Sequence, residues 1–195
     1  MPTRHLDLGC GPVPRNPYTR DELFGVDIAP SSDGRIRAAN LAVQPIPFDD
    51  RFFDSVSAYD FLEHVPRVLG TADGLGTRFP FVELMNEVWR VLKPGGLFYA
   101  VTPVYPHPAV FQDPTHVNVL TTGTHEYFAR PARMAAMYGF HGDFSVRRVQ
   151  LTRHHAASVY APPPANAWQR WRQAQRERRG ACGHIIWELV AQHGG

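Results

Sequence analysis

A chain of 195 residues, 44% of them apolar, has the length and composition to fill the core of one ordinary domain, here residues 1–195. A formal charge of +2 argues against a surface built to neutralise nucleic-acid phosphates. No run of about 18 apolar residues could cross a membrane, and the opening MPTRHLDLGCG has no signal-peptide stretch. The expectation is a cytoplasmic protein with no membrane partner, whose Cys10 and Cys182 are free thiols because they lack metal-ligand spacing.

Short apolar runs alternate with helical patterns, as in a mostly parallel sheet with helices on both faces. Strands are expected at His5–Leu8, Leu23–Asp27, Arg35–Ala38, Ser55–Ala58, Leu97–Thr102, Phe144–Leu151 and His184–Ala191. Pro66–Pro80, with few periodic apolar residues, reads as a loop. Val82, Met85, Val88, Trp89 and Leu92 recur at helical spacing in Phe81–Leu92, which stops at the turn Lys93-Pro94-Gly95-Gly96. Pro131–Tyr138 reads as a helix packed on the sheet, with proline in its first turn and Gly139 past its end. After three prolines at 162–164, AWQRWRQAQRERRG reads as an exposed helix with five arginines and one glutamate. Its Trp168 and Trp171 are expected to dock on the chain's own surface.

The chemistry concentrates at strand ends. His5-Leu6-Asp7-Leu8-Gly9-Cys10-Gly11 runs an apolar strand into a glycine turn at the edge where open α/β sheets bind nucleotides. Pro12-Val13-Pro14 follows, so neither a GxGxxG fingerprint nor a P-loop is completed. Phe24-Gly25-Val26-Asp27 puts a carboxylate at the end of the second strand, where it can accept from two ribose hydroxyls.

These motifs, with FDSVSAYDFLEHV and VWRVLKPGGLF in the same order, resemble the class I S-adenosylmethionine-dependent methyltransferases, most closely the small type 11 members. The resemblance covers roughly residues 5 to 102. PTHVN, followed by Tyr127-Phe128, also resembles a subset of them. It implies a Rossmann-like, seven-stranded sheet of order 3-2-1-4-5-7-6 with the last strand antiparallel, and S-adenosylmethionine as cofactor. By the same resemblance Asp7, Gly9, Cys10 and Gly11 lie at the methionine end, Asp27 holds the ribose and Ile28 packs on the adenine. Asn40 and Leu41 stand where an acid often bonds the adenine amino group, and Tyr59 would sit by the transferred methyl. Two departures stand out: the helix before the first strand is missing, and prolines at 12, 14 and 17 forbid a full helix after the first motif. A cleft so uncovered would stay open or be closed by a partner subunit, as in a homodimer.

The acceptor is expected to be a small molecule lying against Tyr105–His116, faced by Tyr59 and by His116 as general base. Asp113-Pro114 reads as an N-cap followed by a first-turn proline, and Glu63-His64 as a structural pair after the fourth strand. No histidines, His154-His155 included, show metal-site spacing with supporting carboxylates or cysteines, so no metal is assigned. Two alternatives stay open: a non-catalytic scaffold with this fold, and an RNA or protein methyltransferase docking through the arginine-rich segment.

Overall fold

The computed structural model describes residues 1–32, 34–153 and 159–194. Its main sheet contains β1 (Arg4–Leu8), β2 (Glu22–Asp27), β3 (Ile36–Ala38), β4 (Phe53–Tyr59), β7 (Leu92–Pro103), β8 (Phe144–Thr152) and β9 (His184–Ala191). Their order is β3-β2-β1-β4-β7-β9-β8. β1 pairs in parallel with β2 and β4, and β4 with β7, while β9 runs antiparallel to both β7 and β8. Skipping the hairpin of β5 (Leu69–Gly70) and β6 (Thr77–Arg78), this is the expected 3-2-1-4-5-7-6 sheet. His154 and His155 lie outside the described residues.

One face of the sheet is covered by α1 (Pro80–Val91), whose Phe81, Leu84, Met85, Val88 and Val91 are buried at the spacing of a single helical stripe. They pack with Leu6, Val56, Phe98 and Trp187 in the main core. The turn after α1 is absorbed into β7 as a register shift opposite Phe53 and Ser55, with Gly95 at φ +75°.

The other face lacks the usual helix after β1 and is closed by aromatic side chains. Tyr59, Tyr99, Val101 and Ile186 form a second cluster against Tyr18 and Tyr160. Beneath them the buried Glu188 accepts from Tyr18 Oη at 2.8 Å and from Arg148 Nε at 2.9 Å, so a buried charge is matched. α3 (Ala167–Arg178) lies over this side of β8, where Gln173 donates to the Leu151 carbonyl.

Four local expectations change. The hairpin β5–β6 organises part of the 66–80 loop. Pro131–Tyr138 is not a full helix; only a 3₁₀ turn, Met134–Tyr138, forms, and of its residues only Ala135 is buried. One apolar contact per turn does not hold a longer helix on a sheet. Asp113 follows the short α2 (Ala109–Gln112) and its Oδ1 accepts from the backbone and hydroxyl of Thr115, so it closes a local turn and caps no helix. Trp168 and Trp171 are each 60% exposed and do not dock; the Arg172 guanidinium stacks over Trp168 instead.

No helix among the described residues is long and apolar enough to cross a membrane.

Candidate active site

The glycine turn is tied to the end of β2. Gly9 and Cys10 donate their backbone N–H to the Val26 carbonyl, and Gly11 N–H donates to Asp27 Oδ2 at 2.9 Å. Gly9 and Gly11 have φ of +61° and +60°, in the left-handed region that glycine enters without strain. A Cβ on Gly9 would stand 2.3 Å from Phe61 Cδ2, so this turn also needs glycine for space.

Asp7 does not face solvent. Its Oδ1 accepts from Ser57 Oγ at 2.6 Å and its Oδ2 from the Arg15 backbone at 2.8 Å, which anchors the segment after the glycine turn. Burial raises its pKa to about 6. Next to it His5 sits between the hydroxyls of Ser55 and Ser57, and burial lowers its pKa to about 3. The Cys10 thiol is a free thiol pushed up to about 12 by burial, so it is no nucleophile at neutral pH.

Beyond the carboxyl ends of β1, β2 and β4 lies a cavity of about 310 Å³. Gly9, Asp27, Ile28, Asn40 and Leu41 line it together, joined by Asp60, Phe61 and His64. Asp27 spends one lone pair of each oxygen on Gly11 and on its neighbour Ile28, which leaves two for a ligand. Asn40 directs its side-chain oxygen to the Ala42 N–H. Asp7, Cys10, Gly11 and Tyr59 do not line this cavity.

A second cavity of about 490 Å³ adjoins it and shares Asp60. Glu63, Asp113, His116 and His184 lie in its wall. His116 is therefore where a residue of the acceptor side is expected, although its side chain is only 9% exposed. Tyr59 is elsewhere: its hydroxyl donates to the Val159 carbonyl, the Arg15 guanidinium lies over its ring, and its surroundings belong to the aromatic face. The structure thus separates the two residues expected to face one acceptor.

Three groups that the sequence did not join meet at the boundary of the two cavities. Glu63, His64 and His116 bring one ligand-type atom each to within 4.8 Å of one another. The 3₁₀ turn Leu62–His64 presents the first two, and the Glu63 carbonyl accepts from Val117 and Asn118, which holds the His116 segment against it. Asp60, which precedes this turn, has φ +46° and stands 3.3 Å from His184 Nε2. A strained residue between two cavities is the one local signal of function there, and sequence alone does not display it.

A further cavity of about 630 Å³ is mainly apolar and lies between the start of α1 and residues 119–138. It shares no lining residue with the other two, so we place the chemistry at the strand ends.

The sheet order and the glycine turn at the strand ends are those of a Rossmann-like, class I methyltransferase fold. A family model described as a methyltransferase domain matches residues 6–100, just under half of the chain, from β1 into β7. Similar solved structures span nearly the whole chain. One comes from the complex between the Trm112 methyltransferase activator of Haloferax volcanii and a methyltransferase, with TM-score 0.55 and 19% identity, covering 98% of this chain and 83% of that one. A SAM-dependent methyltransferase from Archaeoglobus fulgidus matches with TM-score 0.54 and 14% identity over 97% of this chain and 86% of its own. The YcgJ protein of Bacillus subtilis matches with TM-score 0.52 and 16% identity over 99% and 93%. At these identities the likeness is one of fold. No curated protein matches the sequence.

Proposed function

We propose that this chain is a cytoplasmic S-adenosylmethionine-dependent methyltransferase acting on a small-molecule acceptor, with residues 1–195 as one domain. The observation that carries the reading is the pair of adjoining cavities that share Asp60, one lined by Asp27 and Gly9 and the other by His116. Free Cys10 and Cys182 fit a reducing compartment.

The residues present fit the cofactor. Asp27 keeps two lone pairs for ribose hydroxyls, Ile28 and Leu41 offer apolar contact to a base, and the missing Cβ of Gly9 keeps Phe61 from being driven off the turn. When bound, S-adenosylmethionine supplies a methyl group on a sulfonium, already a good leaving group. The protein's task is then to align the acceptor and exclude water. Asp7 contributes indirectly, by fixing the segment after the turn through the Arg15 backbone. An oxygen acceptor must also lose a proton, and that duty falls to the cluster of Glu63, His64 and His116, of which Glu63 and His116 border the acceptor cavity. Tyr59 supports the cleft from behind by its packing on Tyr99 and Arg15.

Ile28 is 79% exposed at the lip of the cofactor cavity, which favours cover by a second copy of the chain. Calorimetric titration with S-adenosylmethionine and S-adenosylhomocysteine tests the core of the proposal, followed by labelled-methyl transfer to fractionated metabolites. Heat with neither ligand, together with tight binding of a nicotinamide dinucleotide, would overturn it.

A further inference from the structure

Glu63, His64 and His116 come from two segments 52 residues apart, and each is held by a hydrogen bond that fixes what it can offer. His116 Nδ1 lies 2.9 Å from the Val110 carbonyl. A carbonyl only accepts, so Nδ1 carries the proton and Nε2 of the neutral ring keeps a lone pair. His64 Nδ1 lies 3.0 Å from Thr115 Oγ, and the Thr115 hydroxyl donates to the Asp113 carboxylate at 2.6 Å. That hydroxyl has one proton and has spent it, so it accepts from His64 Nδ1–H and leaves His64 Nε2 bare as well. Glu63, only 1% exposed, accepts from Thr102 Oγ at 2.8 Å through Oε2 and turns Oε1 toward His116 Nε2 at 3.9 Å.

One ring nitrogen of each histidine and one oxygen of the buried Glu63 carboxylate lie within 4.8 Å of one another, and each residue also has a partner outside the cluster. We infer that Glu63, His64 and His116 form a binding site for one divalent transition-metal ion of the manganese-to-zinc series, open to the acceptor cavity. Two histidines and one carboxylate are a ligand set for such ions, which take imidazole readily and leave further coordination positions free. The bonds from Val110 and Thr115 are the outer contacts that orient ligating histidines and fix their tautomer. Metal–nitrogen bonds of about 2.1 Å would draw the three groups together. The open positions face the cavity beside the cofactor cleft, so the ion would receive an oxygen of the acceptor and lower the pKa of its hydroxyl. This deepens the reading of a small-molecule methyltransferase: the acceptor is an oxygen-bearing compound whose hydroxyl, made more acidic by the ion, gives its proton to solvent water, and with the ion bound this replaces the free-base role of the cluster.

The test uses the full chain stripped with a chelator and titrated with Co²⁺, followed by its visible absorption and by calorimetry, with Zn²⁺ as competitor. One Co²⁺ per chain, displaced by Zn²⁺, is expected. His116→Ala and His64→Gln should each abolish the stoichiometric site, and Thr115→Val should weaken it about tenfold through loss of the outer bond. Glu63→Gln is less suitable, since Glu63 is buried on Thr102; His64 is half-exposed and its variant should keep the wild-type circular dichroism and melting temperature. No stoichiometric binding of Co²⁺ or Zn²⁺ at millimolar concentration, or binding unchanged in a His64→Gln/His116→Ala double variant, overturns the inference. S-adenosylhomocysteine binding is measured on the same samples. Retained cofactor binding without metal sinks the ion site alone, whereas metal binding without cofactor binding sinks the methyltransferase reading and keeps the site.

Discussion

Gly9 and Gly11 share a backbone conformation, with φ of +61° and +60°, and differ in what surrounds them. A methyl group on Gly11 meets nothing within 4 Å, so Gly11→Ala should cost only the left-handed conformation, about 1–2 kcal/mol. On Gly9 the same methyl would lie 2.3, 2.7 and 3.1 Å from Phe61 Cδ2, Cγ and Cβ, where carbon atoms otherwise keep about 3.5–4.0 Å apart. Because the near atoms belong to the base of the ring and not to its tip, Phe61 must move bodily. Overpacking of this kind adds about 1–3 kcal/mol, giving about 2–5 kcal/mol for Gly9→Ala. Phe61 also lines the cofactor cavity, so its displacement should weaken S-adenosylhomocysteine binding by at least about tenfold, a loss of about 1.4 kcal/mol. Urea denaturation and calorimetry on both variants, with Phe61→Ala and the Gly9→Ala/Phe61→Ala pair, complete a double-mutant cycle. The double variant should recover part of the stability lost by Gly9→Ala. Equal losses for Gly9→Ala and Gly11→Ala, or strict additivity in the cycle, would refute the steric argument.

Asp27→Ala should weaken cofactor binding by about 1.5–3 kcal/mol through loss of charge-assisted bonds, read by titration calorimetry; an unchanged affinity would remove Asp27 from the site. Arg148→Met removes the nearer and more buried of the two cations beside the buried Glu188, leaving Arg147 at 4.0 Å, and should cost up to about 3–5 kcal/mol in urea denaturation, with recovery when Glu188→Leu is added. Asp7 and His5 act oppositely on stability. The raised Asp7 value gives stabilisation that is complete below the ordinary aspartate value of 3.8 and lost as pH rises through about 6. The lowered His5 value gives stabilisation present above 6.5 and lost as pH falls toward about 3. In Asp7→Asn only the His5 limb remains, so stability should climb between pH 4 and 6 by up to about 1.4 kcal/mol per unit; a flat profile counts against the assignment. Changing Arg170, Arg172, Arg176, Arg178 and Arg179 to glutamine should leave cofactor binding intact, and sub-micromolar, steeply salt-dependent RNA binding by the wild type would contradict a small-molecule acceptor.

The sheet was legible because its strands are local objects: apolar runs such as Leu6–Leu8 or His184–Ala191 announce themselves within a few residues. α1 was legible for the same reason, its apolar stripe being long and periodic. Pro131–Tyr138 misled because proline and glycine mark where a helix can begin and end, whereas burial decides whether one persists, and only Ala135 is buried there. Trp168 and Trp171 misled in the opposite sense, since aromatic residues on a charged helix usually have a surface to cover and these are left open.

The site divides along the same line. Gly9 and Asp27 could be gathered from sequence because each ends or follows a strand, and Ile28, Asn40 and Leu41 through the family resemblance; the parallel order of β1, β2 and β3 carries all five to one edge. Tyr59 occupies a strand end too, but successive side chains on a strand point to opposite faces, and which face a terminal residue takes depends on the register. Here the ring goes to the aromatic face, where Arg15 and Tyr99 hold it. Glu63, His64 and His116 had no common local pattern, since their meeting depends on the backbone of residues 117 and 118 reaching back to the Glu63 carbonyl. Chemistry assembled by such a return contact is invisible to spacing rules, which is why the half of the site that would select the acceptor emerges only from the fold.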